Sequence, residues 1–144
     1  MRVSIALLAA TILAAHDVPA SATVRISSDP GGRIGSYLDK LQSLRSSGES
    51  VVIDGPCLSA CTMVLGMIPR DRICVTSRAR LGFHAAQPLG VRTRNRYPAT
   101  AATRVLEATY PPRVRAWIEQ HGGLTSKVII LRGRELISLY APCA

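Results

Sequence analysis

Attack on an acyl carbon needs a nucleophile, a base within reach of it, and N–H donors for the oxyanion that forms. Three features of this sequence are of those types. Ser59 follows a Gly55-Pro56-Cys57-Leu58 turn and opens an apolar stretch. A hydroxyl there stands among unpaired backbone N–H groups and near the positive end of a helix dipole, and the N–H of Ala60 is a candidate oxyanion donor. A serine is also a preferred helix N-cap, so a purely capping role for Ser59 is the competing reading. Pro30-Gly31-Gly32 lets backbone N–H groups approach a ligand closely. His84, after Phe83, is a candidate base only if the fold carries it to Ser59; otherwise it is a packed histidine beside an aromatic ring.

The elements that must position these residues read as βαβ grammar. Residues 24–26 form a short strand and 27–32 a turn. A helix begins at Gly35, with Tyr37, Leu38, Leu41 and Leu44 on one face and Gly48 as its stop. Residues 51–53 read as a buried strand and 59–67 as a buried helix; 73–75 and 81–84 are further strands. An irregular surface loop over 87–98 precedes helices at 99–110 and 112–120. The tail, 131–143, holds a Gly133-Arg134-Glu135 turn and a final apolar stretch. This alternation predicts an α/β fold, a single domain built on a mostly parallel sheet. Ligands of such sheets meet the loops that leave the carboxyl ends of the strands, which here carry Gly32 and Ser59.

Compartment follows from the amino end and the cysteines. Met1-Arg2, an apolar run over 3–15 and the small residues Ala20-Ser21-Ala22 have the form of a secretory signal peptide over 1–22. The run is too short to span a bilayer, which takes about 20 apolar residues. The remaining domain, 23–144, is expected to be periplasmic or secreted and without a stable membrane anchor. Cys57, Cys61, Cys74 and Cys143 are even in number, which in an exported chain argues for two disulfides. Their spacing lacks the paired C-x2-C pattern of zinc sites, so no metal is expected, and three connectivities remain open. Oxidation would also leave no thiolate at Cys61 to act with His84. The formal net charge is +9, yet the basic residues are scattered, and only Arg92, Arg94 and Arg96 cluster. With so few aromatic side chains to stack bases, a solvated basic surface is expected and a nucleic-acid partner is not.

Together, these motifs resemble the Clp protease proteolytic subunit and the wider crotonase-like fold. Ser27-Ser28-Asp29-Pro30-Gly31-Gly32 is similar to that family's strand and Ser-Pro-Gly-Gly turn. Gly55 to Ala60 is similar to its nucleophile segment, and Leu81-Gly82-Phe83-His84, continued by Gln87-Pro88-Leu89-Gly90, to its histidine segment. Their order and the spacing from Ser59 to His84 agree with the family, over about residues 24–88. The resemblance implies a serine hydrolase, peptidase-like and acting on a peptide or ester. Ser59 would be its nucleophile, His84 its base, and Gly32 and Ala60 the oxyanion donors. It implies no cofactor; the acyl-CoA branch of the fold fits poorly, since CoA is cytoplasmic and no acidic pair for hydration is present. It also places the last strand beside the one carrying Cys74, which favours Cys74–Cys143 and leaves Cys57–Cys61 to pin the turn around Ser59.

The sequence departs from the family in specific ways. The family's third catalytic residue is an Asp downstream of His84, but no Asp follows Asp71, and neither Glu119 nor Glu135 aligns with it. The N-terminal strands and axial segment that meet an unfoldase are missing, so no ATP-driven unfoldase is expected; an oligomer is possible. A catalytically inactive relative serving as a binding or assembly module is the alternative to the hydrolase.

Overall fold

The computed structural model describes residues 22–88 and 100–144. The expected leader over 1–22 lies almost wholly outside the described residues, as do Leu89, Gly90 and the Arg92-Arg94-Arg96 cluster.

Two sheets share the β-structure. Strands β1 (Thr23–Ile26), β2 (Ser50–Ile53), β4 (Ile73–Val75) and β7 (Ala141–Pro142) form a parallel sheet in the order β1-β2-β4-β7. Strands β3 (Pro56–Leu58), β5 (Arg80–Phe83) and β6 (Ile129–Arg132) form the second, with β3 and β5 parallel and β6 antiparallel to β5. The expected α/β class with a mostly parallel sheet is the observed one. The chain passes from β2 to β3 through Asp54-Gly55, where an added Cβ on Gly55 would run into the carbonyl oxygen of Ser27. Only glycine fits that crossing.

Helix α1 (Ile34–Ser47) ends where expected, at Gly48 with φ 79°, a left-handed cap that favours glycine. It returns the chain from β1 to β2 and buries Leu41 and Leu44. A 3-10 turn (Ser59–Met63) leads directly into α2 (Val64–Met67); α3 (Thr100–Thr109), α4 (Pro112–Gln120) and α5 (Gly133–Leu139) follow. The core lies between these helices and the sheets, around Ile53, Leu65, Leu81, Phe83, Leu106, Leu131 and Tyr140. Phe83 meets Tyr110 edge-on at 5.3 Å between centroids, and Tyr140 donates a 3.0 Å hydrogen bond to the Leu65 carbonyl.

Three expectations need correction. The buried helix over 59–67 is a 3-10 turn and a single α turn, because Ser59 takes a positive φ and Cys57 is tied to Cys61. The strand at Pro56–Leu58 hides behind a Gly-Pro pair that reads as a breaker. In the tail, Gly133-Arg134-Glu135 starts a helix instead of turning the chain, and β6 precedes it.

Asp54, buried at the end of β2, ties this frame together. Its carboxylate accepts from Arg25 (2.8 Å), Thr76 Oγ1 (2.7 Å) and both Nε and an Nη of Arg78. The Arg78 hydrogen bonds foremost, then that of Thr76, hold its carboxyl far below the usual carboxylate range. A depressed pKa stabilises the folded state above the unfolded value of about 3.9, and that contribution is lost as pH falls below it. Thermal melts of the wild type should therefore fall steeply below about pH 4. Asp54→Asn should melt lower at neutral pH and show a flatter acid limb.

Candidate active site

Ser59 occupies an unusual backbone state. Its φ is 55°, the only positive value for a non-glycine among the described residues. Such a conformation costs of order 1–3 kcal/mol and persists only where the surroundings impose it. Here the surroundings are identifiable. Leu58 is held in β3 against β5; Thr62 Oγ1 donates a 2.6 Å hydrogen bond to the Ser59 carbonyl; the Cys57–Cys61 disulfide closes the loop around it. Tyr110 fixes Thr62 in turn through a 2.7 Å hydroxyl contact, and burial pushes the Tyr110 phenol up to about 12, so it stays neutral.

The capping role is not realised. Leu58 is the N-cap of the 3-10 turn, no side chain caps it, and Ser59 Oγ has no hydrogen-bond partner among the described residues. The hydroxyl instead borders a cleft of about 520 Å³, walled by Gly32 to Ser36, Ala86, Gln87, Ala102 and Leu106. Its lining mixes the aliphatic Ile34, Ala86, Ala102 and Leu106 with the polar Arg33, Ser36 and Gln87, and no acidic residue lines it.

The glycine turn lies directly against Ser59. Gly31 has φ 82°, and an added Cβ would come within 2.7 Å of Ser59 Cβ, 3.0 Å of Ala60 N, and closer still to the Leu58 carbonyl oxygen. Asp29 holds this turn in place. Its backbone pairs with β3 through Asp29 N to Pro56 O (2.8 Å) and Leu58 N to Asp29 O (2.9 Å). Its carboxylate accepts from Gly31 N (2.9 Å) and from the Tyr37 hydroxyl, with Lys40 at 3.8 Å. Burial and the bond to Asp29 raise the Tyr37 phenol pKa, which keeps it a donor. Asp29, Tyr37 and Lys40 are thus the supports that the sequence reading missed. The signal was present: an Asp two residues before Gly31, and two side chains three apart on the first turns of α1. Gly32 lines the cleft, whereas Ala60 is fully buried, does not line it, and has its backbone nitrogen close against Gly31.

His84 reaches the same end of the neighbouring strand. Leu58 of β3 pairs in parallel register with Gly82 of β5, so Ser59 and His84 leave adjacent strands one and two residues beyond that pair. Strands lie about 4.8 Å apart, which places the two residues in one neighbourhood. They share no hydrogen bond, however, and it is Ala86 and Gln87, not His84, that line the cleft with Ser59. His84 Nδ1 lies 2.7 Å from the Ala85 carbonyl oxygen. A carbonyl only accepts, so Nδ1 carries the hydrogen, and in the neutral ring Nε2 is the basic nitrogen. The Ala85 peptide is fixed by its N–H to the Thr125 carbonyl at 2.7 Å. Neither acid stands in for the missing Asp: Glu135 Oε1 pairs with His121 Nε2 at 3.5 Å, and Glu119 is exposed on α4.

The cysteines are joined as Cys57–Cys61 and Cys74–Cys143, with Cα separations of 5.3 and 4.9 Å. Among the described residues no group of three or more His, Cys, Asp or Glu could hold a metal ion, and no helix is long and apolar enough to cross a membrane.

No protein-family model matches the chain, and no curated protein matches it. Among solved structures, a ClpP1 point mutant from Listeria monocytogenes is similar with a TM-score of 0.45 and 15% identity, over 83% of this chain and 71% of that one. At that level of likeness, the chemistry of the site rests on its own geometry.

Proposed function

We propose that this chain is an exported serine hydrolase, peptidase-like, in which Ser59 is the nucleophile and His84 the general base. The observation that carries the reading is the conformation of Ser59. A non-glycine held at positive φ between a strand and a helical turn, with its hydroxyl unpaired beside a cleft, matches what a strained nucleophile turn requires. In the reaction, His84 Nε2 takes the Ser59 proton as Oγ attacks the acyl carbon, then returns it to the leaving amine or alcohol. Water resolves the acyl-enzyme by the same route. The N–H groups of Gly32 and Ala60 receive the oxyanion, each worth about 2.7–4 kcal/mol in comparable sites. A carbonyl, not a carboxylate, orients His84. It sets the tautomer but stabilises the imidazolium less, so turnover is expected to be slow relative to a full triad. Export rests on the two disulfides, which persist in oxidising compartments, and on the leader-like amino end.

Hydrolysis of a small activated ester and of a peptide library tests this. Ser59→Ala should remove turnover, and His84→Ala should lower it by about 10²–10⁴-fold, both with unchanged far-UV dichroism. A specific observation favours the second reading, a binding or assembly module: Ser59 Oγ and His84 are not hydrogen-bonded to each other. That reading expects wild-type activity equal to that of Ser59→Ala.

A further inference from the structure

Arginines remote in sequence converge at the end of the second sheet opposite to Ser59. Arg80 opens β5 and Arg132 closes β6, and the two stand directly opposite in the antiparallel register. Paired residues in that geometry project from one face with Cβ atoms about 4.5–5.5 Å apart, and like charges there repel. Arg134 joins them on the wall of a cleft of about 390 Å³, together with Ser77 and Glu135. Neighbouring acids leave the group with a net positive charge. Asp54, in the adjoining cleft, is already engaged by Arg25, Arg78 and Thr76, and the one acid on the same wall, Glu135, offsets a single charge of the three. Among the described residues, Arg80, Arg132 and Arg134 have no ion-pair partner.

The same face carries exposed aliphatic side chains. Leu81, Phe83 and Leu131 turn inward and are fully buried, so Ile130, alternating with them, points outward with Arg132 and is 40% exposed. Val128, 45% exposed, lies beside Ile130 over Gly82. Ile137, 50% exposed, stands three residues after Arg134 on α5, one face of that helix. Unpaired guanidinium groups bordering exposed aliphatic residues suit a boundary where anionic phosphates sit above hydrocarbon. A second copy of the chain fits less well, because a symmetric contact would bring the arginine clusters together.

We propose that this face, formed by Arg80, Arg132 and Arg134 with Val128, Ile130 and Ile137, docks the protein on an anionic phospholipid membrane surface. The arginines engage headgroup phosphates and the aliphatic side chains enter the interface. The arginines lie at the start of β5 and the aliphatic side chains run along it toward Gly82, which pairs with Leu58 of β3.

Co-sedimentation of the exported chain, residues 23–144 without the leader-like segment, with vesicles of phosphatidylcholine alone, or mixed equally with phosphatidylglycerol, tests this. The expected result is binding to the mixed vesicles only. It should weaken about fivefold for each arginine removed, hence roughly a hundredfold in Arg80→Gln/Arg132→Gln/Arg134→Gln. Ile130→Ser/Ile137→Ser should weaken it about tenfold or more. The control Arg104→Gln/Arg113→Gln/Arg115→Gln, with the same charge change on α3 and α4, should stay within a few-fold of wild type. All of these side chains are exposed, and thermal melts verify the fold. Four results would overturn the proposal: no binding to the mixed vesicles; equal binding to neutral ones; equal loss in both triple variants, which indicates net charge alone; or, by light scattering, a dimer that the Ile130→Ser/Ile137→Ser variant dissolves.

Discussion

Gly31→Val should abolish the acylation of Ser59, lowering its rate by a hundredfold or more. At φ 82° a β-branched side chain is strained, and its first carbon would strike the Leu58 carbonyl, Ser59 Cβ and Ala60 N together. All three belong to the turn that holds the proposed nucleophile, Ser59, and one proposed oxyanion donor, Ala60 N. Misplacing one such donor alone costs about 10²–10³ in rate. The positive φ adds roughly 1–2 kcal/mol of destabilisation, so the melting temperature should fall as well. Two neighbouring glycines separate the local effect from a general one. At Gly32 an added Cβ would meet only Tyr37, at 3.4 Å, and at Gly35 it would meet nothing. Gly32→Ala is therefore expected within about tenfold of wild type and Gly35→Ala at wild-type rate. Labelling kinetics beside thermal melts give both readings.

The second large effect is on stability, and the two disulfides should divide it. Cys74–Cys143 joins positions 69 apart in sequence, pinning β7 to β4, whereas Cys57–Cys61 spans only 4. By loop-closure entropy the first is worth about 4 kcal/mol and the second about 2. Cys74→Ser/Cys143→Ser should then lower the melting temperature by roughly 15–30 °C. The other pair has the opposite signature: Cys57→Ser/Cys61→Ser should melt closer to wild type yet react much more slowly at Ser59, since its ring encloses that residue. Melts and labelling rates on the two double variants, compared side by side, read this out.

What was legible in the sequence tracks how local its cause is. Gly48 as the stop of α1, the strands around Val51 and Cys74, and the glycine turn before α1 each announce themselves through a few adjacent residues. The α/β class follows from their alternation. Strand β3 is too short and too close to Gly55-Pro56 to show a period of two. The helix expected from Ser59 onward gives way because Ser59 takes a backbone state that an apolar pattern does not reveal. Non-local pairings are the hardest to see. The bond from Ala85 N to Thr125, which fixes the peptide that orients His84, joins residues 40 apart, and Arg80 meets Arg132 only because β5 and β6 run antiparallel. Ser59 and His84 stand out in the sequence and are proposed as a pair, whereas the groups that hold Ser59 and its glycine turn, Asp29, Tyr37 and Thr62, do not stand out.

A fluorophosphonate, which phosphonylates only an activated serine, should react with Ser59 if that hydroxyl is the nucleophile. On purified, oxidised protein, intact-mass analysis and peptide mapping should find one adduct, on Ser59, absent from Ser59→Ala and strongly slowed in His84→Ala. No adduct on the wild type, or equal labelling of the Ser59→Ala variant, would rule out Ser59 as the nucleophile.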